Sequence, residues 1–242
     1  MHTEQEIDAA INRISGGTVL DVATGPGSMI TWMVEALKDF ETITGIDAVD
    51  ITERLDGKAS IFDREDVHFQ QMDAHAMTFA DASFDTVTIA NSLHHMADPG
   101  QVLAEIARVL KPGGTLIVQE MYRDNQTAEQ RTHIDLHHWW AAIDRARGIT
   151  HNETFTRQAL LDLLGESGLV SEAVFDFADL ESDPYDSERL AFLHNRLDEY
   201  LAHAEQMPDF AAIQTQAEEL RGRLETVGFR GATALIVLAR KE

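Results

Sequence analysis

Two stretches of this chain combine residue types that do chemistry with spacing that could use them. In Asp21-Val22-Ala23-Thr24-Gly25-Pro26-Gly27 a carboxylate closes a short apolar run, and the two glycines after it let the backbone turn tightly and approach a ligand. In His133-Ile134-Asp135-Leu136-His137-His138-Trp139-Trp140, followed by His151-Asn152-Glu153, imidazoles and indoles cluster. Imidazole gives and takes protons near neutral pH and binds metals, and indole stacks on planar molecules. On a helix His133 and His137 share a face, with Trp140 and Asp144 close to the same stripe. Three readings stand side by side for this group: a lid that holds an acceptor, a His/carboxylate metal site drawing on Glu120 or His151, and plain amphipathic surface. The doublet His94-His95 and Tyr122, each just beyond a strand, add candidates for proton transfer. No residue is assigned as a metal ligand.

The elements that must position these residues follow from periodicity. Residues 19–22 read as a buried strand running through the glycine turn into a helix over 30–40. A second strand, 42–47, ends in Asp47, a carboxylate of the kind that accepts hydrogen bonds from ribose hydroxyls, and an acid here favours an unphosphorylated ribose. A third strand over 67–73 leaves through Asp73-Ala74-His75-Ala76, and a fourth over 84–91 ends at Asn91 and Ser92. A helix over 102–110 is stopped by Lys111-Pro112-Gly113-Gly114 before a fifth strand over 115–120. Strands alternating with helices predict a parallel sheet covered on both faces. Beyond Glu120 the pattern changes to helices over 128–147 and 155–167, a strand over 169–177, a helical hairpin over 186–206 and 209–227, and a last strand over 232–239.

Composition narrows the partners. With 242 residues, 44% hydrophobic and 25% charged, the chain is expected to form one domain, 1–242, with helical insertions near 123–152 and 183–228. A formal net charge of −23 repels a phosphate backbone, so nucleic acid is not an expected partner. No apolar run approaches the ~20 residues that span a bilayer, so no membrane partner is expected, and the N-terminus lacks a basic segment leading into an apolar core; the expectation is a cytoplasmic protein. The absence of cysteine removes thiolate metal sites and cysteine nucleophiles.

Taken in order, these motifs resemble the class I S-adenosylmethionine (SAM) dependent methyltransferases, and the chain is similar to their ubiquinone and menaquinone biosynthesis group. The likeness is close over 19–118 and topological beyond. Asp21 to Gly27 looks like the family's glycine-rich first motif, Gly45-Ile46-Asp47 like its second and Asp73-Ala74 like its adenine loop. Phe84-Asp85-Thr86-Val87 through Leu93-His94-His95, and Arg108-Val109-Leu110-Lys111-Pro112-Gly113-Gly114, match its later motifs. The chain departs from the usual pattern at Ala23, where the first glycine often stands. A dinucleotide-binding dehydrogenase fits less well, because Gly25-Pro26-Gly27-Ser28-Met29-Ile30 ends in isoleucine.

The resemblance implies a Rossmann-like, doubly wound α/β fold: a seven-stranded, mostly parallel sheet with a reversed last strand, here with helical insertions as a cap. It implies SAM as cofactor, S-adenosylhomocysteine as product and in-line methyl transfer to a small-molecule acceptor. By the same resemblance Asp21 and the backbone of Ala23, Gly25 and Gly27 would lie near the methionine part, Asp47 and Ala48 at the ribose, Asp73 and Ala74 at the adenine, and Asn91 and Ser92 near the methionine amino group. Asp85, at the opposite end of its strand, is expected to be structural. His94, His133, His137 and Tyr122 are the candidates on the acceptor side. Two other functions compete: a metal-dependent enzyme using His133, His137 and His138, and a non-catalytic SAM-binding scaffold. The insertions leave open a homodimer.

Overall fold

Strand β1 (Thr18–Val22) lies inside the sheet, and Val19, Leu20 and Val22 are fully buried, as a strand covered on both faces requires. Around it the order is β3-β2-β1-β4-β5-β7-β6. Strands β2 (Thr42–Asp47), β3 (Val67–Gln71), β4 (Phe84–Ala90) and β5 (Leu110–Met121) run parallel with β1 in the register Val19↔Ile43 and Val19↔Thr86. Strand β6 spans Val170–Phe177, and β7 (Ala234–Arg240) runs antiparallel as the resemblance implies. Chain order reverses direction between β1 and β4, the switch point at which open α/β sheets bind ligands.

The computed structural model describes residues 1–51 and 61–242. Its contacts divide into two units: Met1–Glu120, Gln158–Phe177 and Leu235–Glu242 in one, Met121–Arg157 and Ala178–Ala234 in the other. Both stretches expected as insertions lie in the second, helical unit.

In the sheet unit, helices α1 (Glu4–Ile11) and α2 (Ser28–Ala36) bury Ile7, Ile11, Ile30 and Met33 in one core with Val19, Ile43 and Ile117. Helix α1 starts at a capping box between Thr3 and Glu6, and Trp32 Nε1 donates to Asp8 Oδ1 at 2.8 Å, tying it to α2. Helix α3 (Pro99–Val109) begins at Asp98, whose side chain accepts from the Gln101 amide. At the far end of the sheet Asp85 Oδ2 accepts from the Thr18 amide at 3.0 Å and from Lys111 Nζ at 2.7 Å, so it fixes strand starts.

The segment read as a pure stop, Lys111 to Gly114, instead opens β5 as an irregular stretch. The register shifts between Phe84 and Thr86, and Gly113 N–H donates to Lys241 O at 2.7 Å while Lys241 N–H donates to Gly114 O. The glycines end the helix, and their backbone groups then find partners at the strand edge.

Gly45 in β2 has a packing reason. A Cβ there would stand 2.6 Å from Thr24 Oγ1 and 3.1 Å from Ile30 Cδ1. Gly45→Ala is expected to cost about 1–3 kcal/mol through overpacking beneath the glycine turn, read as a melting temperature lower by several degrees.

The helical unit joins α4 (Ala128–Ala146), α6 (Ser187–Ala204) and α7 (Phe210–Thr226) around Leu136, Trp139, Ile143, Leu193, Leu197, Leu220 and Leu224. Helix α4 starts with a second capping box, Thr127 with Gln130, and Gln130 Nε2 also donates to Gly231 O and Thr233 Oγ1 at 3.1 Å. Helix α5 (Arg157–Glu166) leads back into β6 and buries Leu160 and Leu164. Among the described residues no helix is long and apolar enough to cross a membrane.

Candidate functional site

The carboxyl ends of β1, β2, β3 and β4 open onto one cavity of about 630 Å³ in the sheet unit. Asp21, Ala23, Gly25, Asp47, Ala48, Asp73, Ala74, Asn91 and Ser92 all line it, so every residue the resemblance placed at the cofactor is present except Gly27. Gly27 serves from behind the wall. It caps α2 at φ +87°, and a Cβ would meet Ile61 Cγ2 at 2.6 Å, so a side chain is excluded on both counts. A Cβ on Gly25 would meet nothing within 4 Å: its open face leaves room for a ligand to approach the backbone.

The departure at Ala23 acquires a physical reading. Ala23 has φ +56° and Asn91 φ +46°, left-handed conformations in which a side chain costs about 1–2 kcal/mol. Both sit where a strand breaks into a loop at the cavity, and such strain is characteristic of ligand sites. The position often filled by glycine thus demands a left-handed residue, and this chain meets the demand with alanine.

Two of the acids are held by loop amides. Asp47 Oδ2 accepts from Gly25 N–H at 3.0 Å and Oδ1 from Val49 N–H at 3.1 Å, so one carboxylate ties the glycine turn to β2. Asp73 Oδ1 accepts from the His75 amide and faces His75 Nδ1, both at 2.9 Å, which holds its carboxyl below the usual range. Asp21 differs. It is 1% exposed, Thr88 Oγ1 donates to its Oδ1 at 2.6 Å, and Oδ2 has no hydrogen-bond partner among the described residues. Burial, with a further push from the Asp47 charge, raises its carboxyl from 3.8 to about 7 against the opposing Thr88 bond. A buried carboxylate with an unsatisfied oxygen in a cavity wall suits a ligand that brings positive charge.

On the same strand ends, Glu120 is 1% exposed and accepts twice: Leu93 N–H donates to Oε2 at 2.8 Å, and His94 Nδ1 faces Oε1 at 2.8 Å. The Glu120 side chain therefore fixes the orientation of the His94 ring through Nδ1. His95, tilted against His94 with ring centroids 4.3 Å apart, lines the cavity together with Met72 and Met96. The sequence offers Glu120 only as an optional donor in the metal reading and does not disclose it as the partner of His94. The available signal was an acid ending the otherwise apolar run Leu116-Ile117-Val118.

The remaining candidates belong to the helical unit. Tyr122 is 5% exposed and its backbone bridges Thr233 and Gln126. His133 Nδ1 accepts from the Ala232 amide at 2.9 Å. His137 Nε2 stands 3.3 Å from His151 Nε2, while the His138 ring turns away toward Thr154. This unit also has a groove of about 860 Å³ lined by Asp135, Trp139, Leu220 and Arg223.

Residues 20–118 match the methyltransferase domain family model. The demethylmenaquinone methyltransferase of Renibacterium salmoninarum is 39% identical over 112 residues, 46% of this chain and 44% of that one. Over residues 20–118 this chain carries a methyltransferase domain. The 27-O-demethylrifamycin SV methyltransferase of Amycolatopsis mediterranei is 38% identical over 104 residues, covering 42% of this chain and 38% of that protein. The chain spans about half the length, or less, of the curated relatives it matches. Among solved structures, the YcgJ protein of a Bacillus species superposes with a TM-score of 0.62 over 98% of this chain and 97% of that one at 18% identity, a likeness of fold. The matched methyltransferase domain implies SAM as cofactor, and Asp21, a buried acid of the cavity wall whose Oδ2 has no hydrogen-bond partner among the described residues, fits a ligand carrying both an ammonium and a sulfonium.

Proposed function

We propose that the chain transfers a methyl group to a small-molecule acceptor, with the cofactor seated in the cavity at the ends of β1 to β4. The observation that carries this reading is the convergence of Asp21, Asp47 and Asp73 with the open face of Gly25 on one cavity. SAM supplies a methyl carbon already activated by positive sulfur. Asp47 accepts from the ribose hydroxyls, Asp73 and Ala74 border the adenine, and Asp21 with the left-handed backbone at Ala23 and Asn91 faces the methionine end. The protein's share of the rate is alignment and exclusion of water, worth up to ~7–11 kcal/mol in favourable cases. For a hydroxyl acceptor His94 Nε2 takes the proton, with Glu120 holding the ring in the required tautomer. His133 is assigned to holding α4 at Ala232, because its ring nitrogen is engaged by a backbone amide.

Calorimetric titration with SAM and S-adenosylhomocysteine, followed by turnover assays on small hydroxylated and aromatic acceptors, tests the reading. Micromolar binding of both with methyl transfer to one acceptor class is the expected result. Binding without turnover on any acceptor would favour the scaffold, and no binding would overturn the cofactor site.

Asp21 makes the binding pH-dependent. Its folded carboxyl lies at about 7 against 3.8, so its contribution to stability is complete below about pH 4 and is lost as pH rises through about 7. A cationic ligand favours the ionised form, so below about pH 7 binding must expel a proton. The SAM dissociation constant is therefore expected to rise by up to about tenfold per pH unit below 7 and to level off above about 8. Calorimetry in buffers of different ionisation heat measures the proton released. Zero release at about pH 6 would remove Asp21 from the cofactor's cationic end.

A further inference from the structure

We propose that His137 and His151 bind a divalent transition-metal ion of the zinc class through their Nε2 atoms. The inference goes beyond methyl transfer and does not rest on it. The sequence groups His133 with His137 on one helix face, and the structure sorts the histidines of this segment by what each ring nitrogen does. His133 Nδ1 is engaged by the Ala232 amide at 2.9 Å. His138 Nε2 faces Thr154 Oγ1 at 2.9 Å and accepts from the Thr154 amide at 3.2 Å. Both rings are used as struts.

His137 and His151 are arranged differently. Both are buried, at 7% and 5% exposure, their rings stand at 81° with centroids 4.7 Å apart, and the two Nε2 atoms are 3.3 Å from each other. Imidazole nitrogens ~2.0–2.1 Å from a tetrahedral metal are separated by an edge of about 3.3 Å. The pair is therefore already spaced as two ligands of one ion.

What stands behind His151 completes the argument. Its Nδ1 lies 2.8 Å from Asp144 Oδ2, and the same oxygen accepts from the Tyr200 hydroxyl at 3.0 Å. Arg147 Nη1 approaches Asp144 Oδ1 at 3.4 Å, and Arg145 Nη1 donates to the His151 carbonyl at 2.8 Å, fixing the turn after α4. Asp144 Oδ2 thus orients the His151 ring through Nδ1, and Nε2 is the ring nitrogen turned toward His137 Nε2. A carboxylate behind the non-ligating nitrogen is the arrangement that orients histidine ligands and raises their basicity. Imidazole donors suit zinc and its first-row neighbours, whereas magnesium and calcium prefer all-oxygen sites. Water or other donors take the remaining coordination positions.

The test uses the full chain, stripped of metal with chelator and then titrated separately with Zn²⁺ and with Co²⁺. The expected result is one equivalent of Zn²⁺ bound, and a Co²⁺ spectrum with the intense visible bands of tetrahedral nitrogen coordination. His137→Gln and His151→Gln should each weaken zinc by at least about 100-fold, and Asp144→Asn by about 10- to 100-fold with the cobalt bands retained. His133→Gln and His138→Gln should leave zinc affinity unchanged. Folded wild-type protein that binds zinc no tighter than about 0.1 mM would overturn the proposal. So would a folded His137→Gln/His151→Gln double variant that binds zinc like wild type. Should the glutamine variants fail to fold, X-ray absorption on the zinc-loaded wild type decides by the presence or absence of imidazole outer-shell scattering.

Discussion

Asp47→Ala is expected to raise the SAM dissociation constant by about 100-fold, because hydrogen bonds to a charged group contribute ~1.5–3 kcal/mol each and the ribose offers two hydroxyls. Part of the loss comes from the protein itself. Asp47 accepts from the Gly25 and Val49 amides, so the alanine variant also releases the glycine turn that borders the ligand. Asp47→Asn separates the two contributions. Its remaining carbonyl oxygen can serve an amide or a hydroxyl but not both ends of the network, and it should fall between wild type and alanine. Asp47 is partly exposed, so no buried donor is stranded and the melting temperature should change little. Calorimetry and a thermal melt on the same samples check both halves. An unchanged dissociation constant in a folded Asp47→Ala protein would remove the ribose from this position.

The difference between what the residues disclosed and what they concealed lies in the range of the interactions. The cavity lining was legible because each of its sequence-picked residues is local to a strand end. Asp21, Asp47, Asp73 and Asn91 stand at or just beyond strand ends, and parallel strands bring their carboxyl ends to one edge. The left-handed backbone at Ala23 was visible only as a departure from a glycine pattern, since alanine carries no sign of its φ. Long-range pairs were not legible at all. Glu120 and His94 are separated by 26 positions, and Tyr200 and Asp144 by 56, and nothing in either segment names its partner. The histidines of α4 show the same limit: periodicity put His133 and His137 on one face. Which ring would be tied to Ala232, to Thr154 or to His151 depends on how the chain returns to that face. The irregular opening of β5 likewise depends on Lys241, more than a hundred residues downstream.

The largest effect on turnover is expected at His94. With a hydroxyl acceptor, His94→Gln should lower kcat by about 100- to 10,000-fold, the range for removing a general base, while leaving the SAM dissociation constant unchanged. The separation follows from the geometry: His94 is 1% exposed and held by Glu120, whereas the cavity wall beside it is made by Ser92, His95 and Met96. Glu120→Gln tests the orientation rather than the base. A carboxamide can accept from the Leu93 amide or from His94 Nδ1–H, but it cannot supply a charge to the imidazolium that forms when the proton is taken, so kcat should fall while the ring remains in place. Adding Glu120→Gln to His94→Gln should then cost little further activity, because residues that act as a unit are not additive. The two roles predict different pH profiles. Loss of a base removes the acid limb of kcat, whereas a purely structural His94 would lower the melting temperature and leave the limb where it was. A His94→Gln enzyme that methylates its hydroxyl acceptor at the wild-type rate would mean that the acceptor reaches the site already deprotonated or loses its proton to another group.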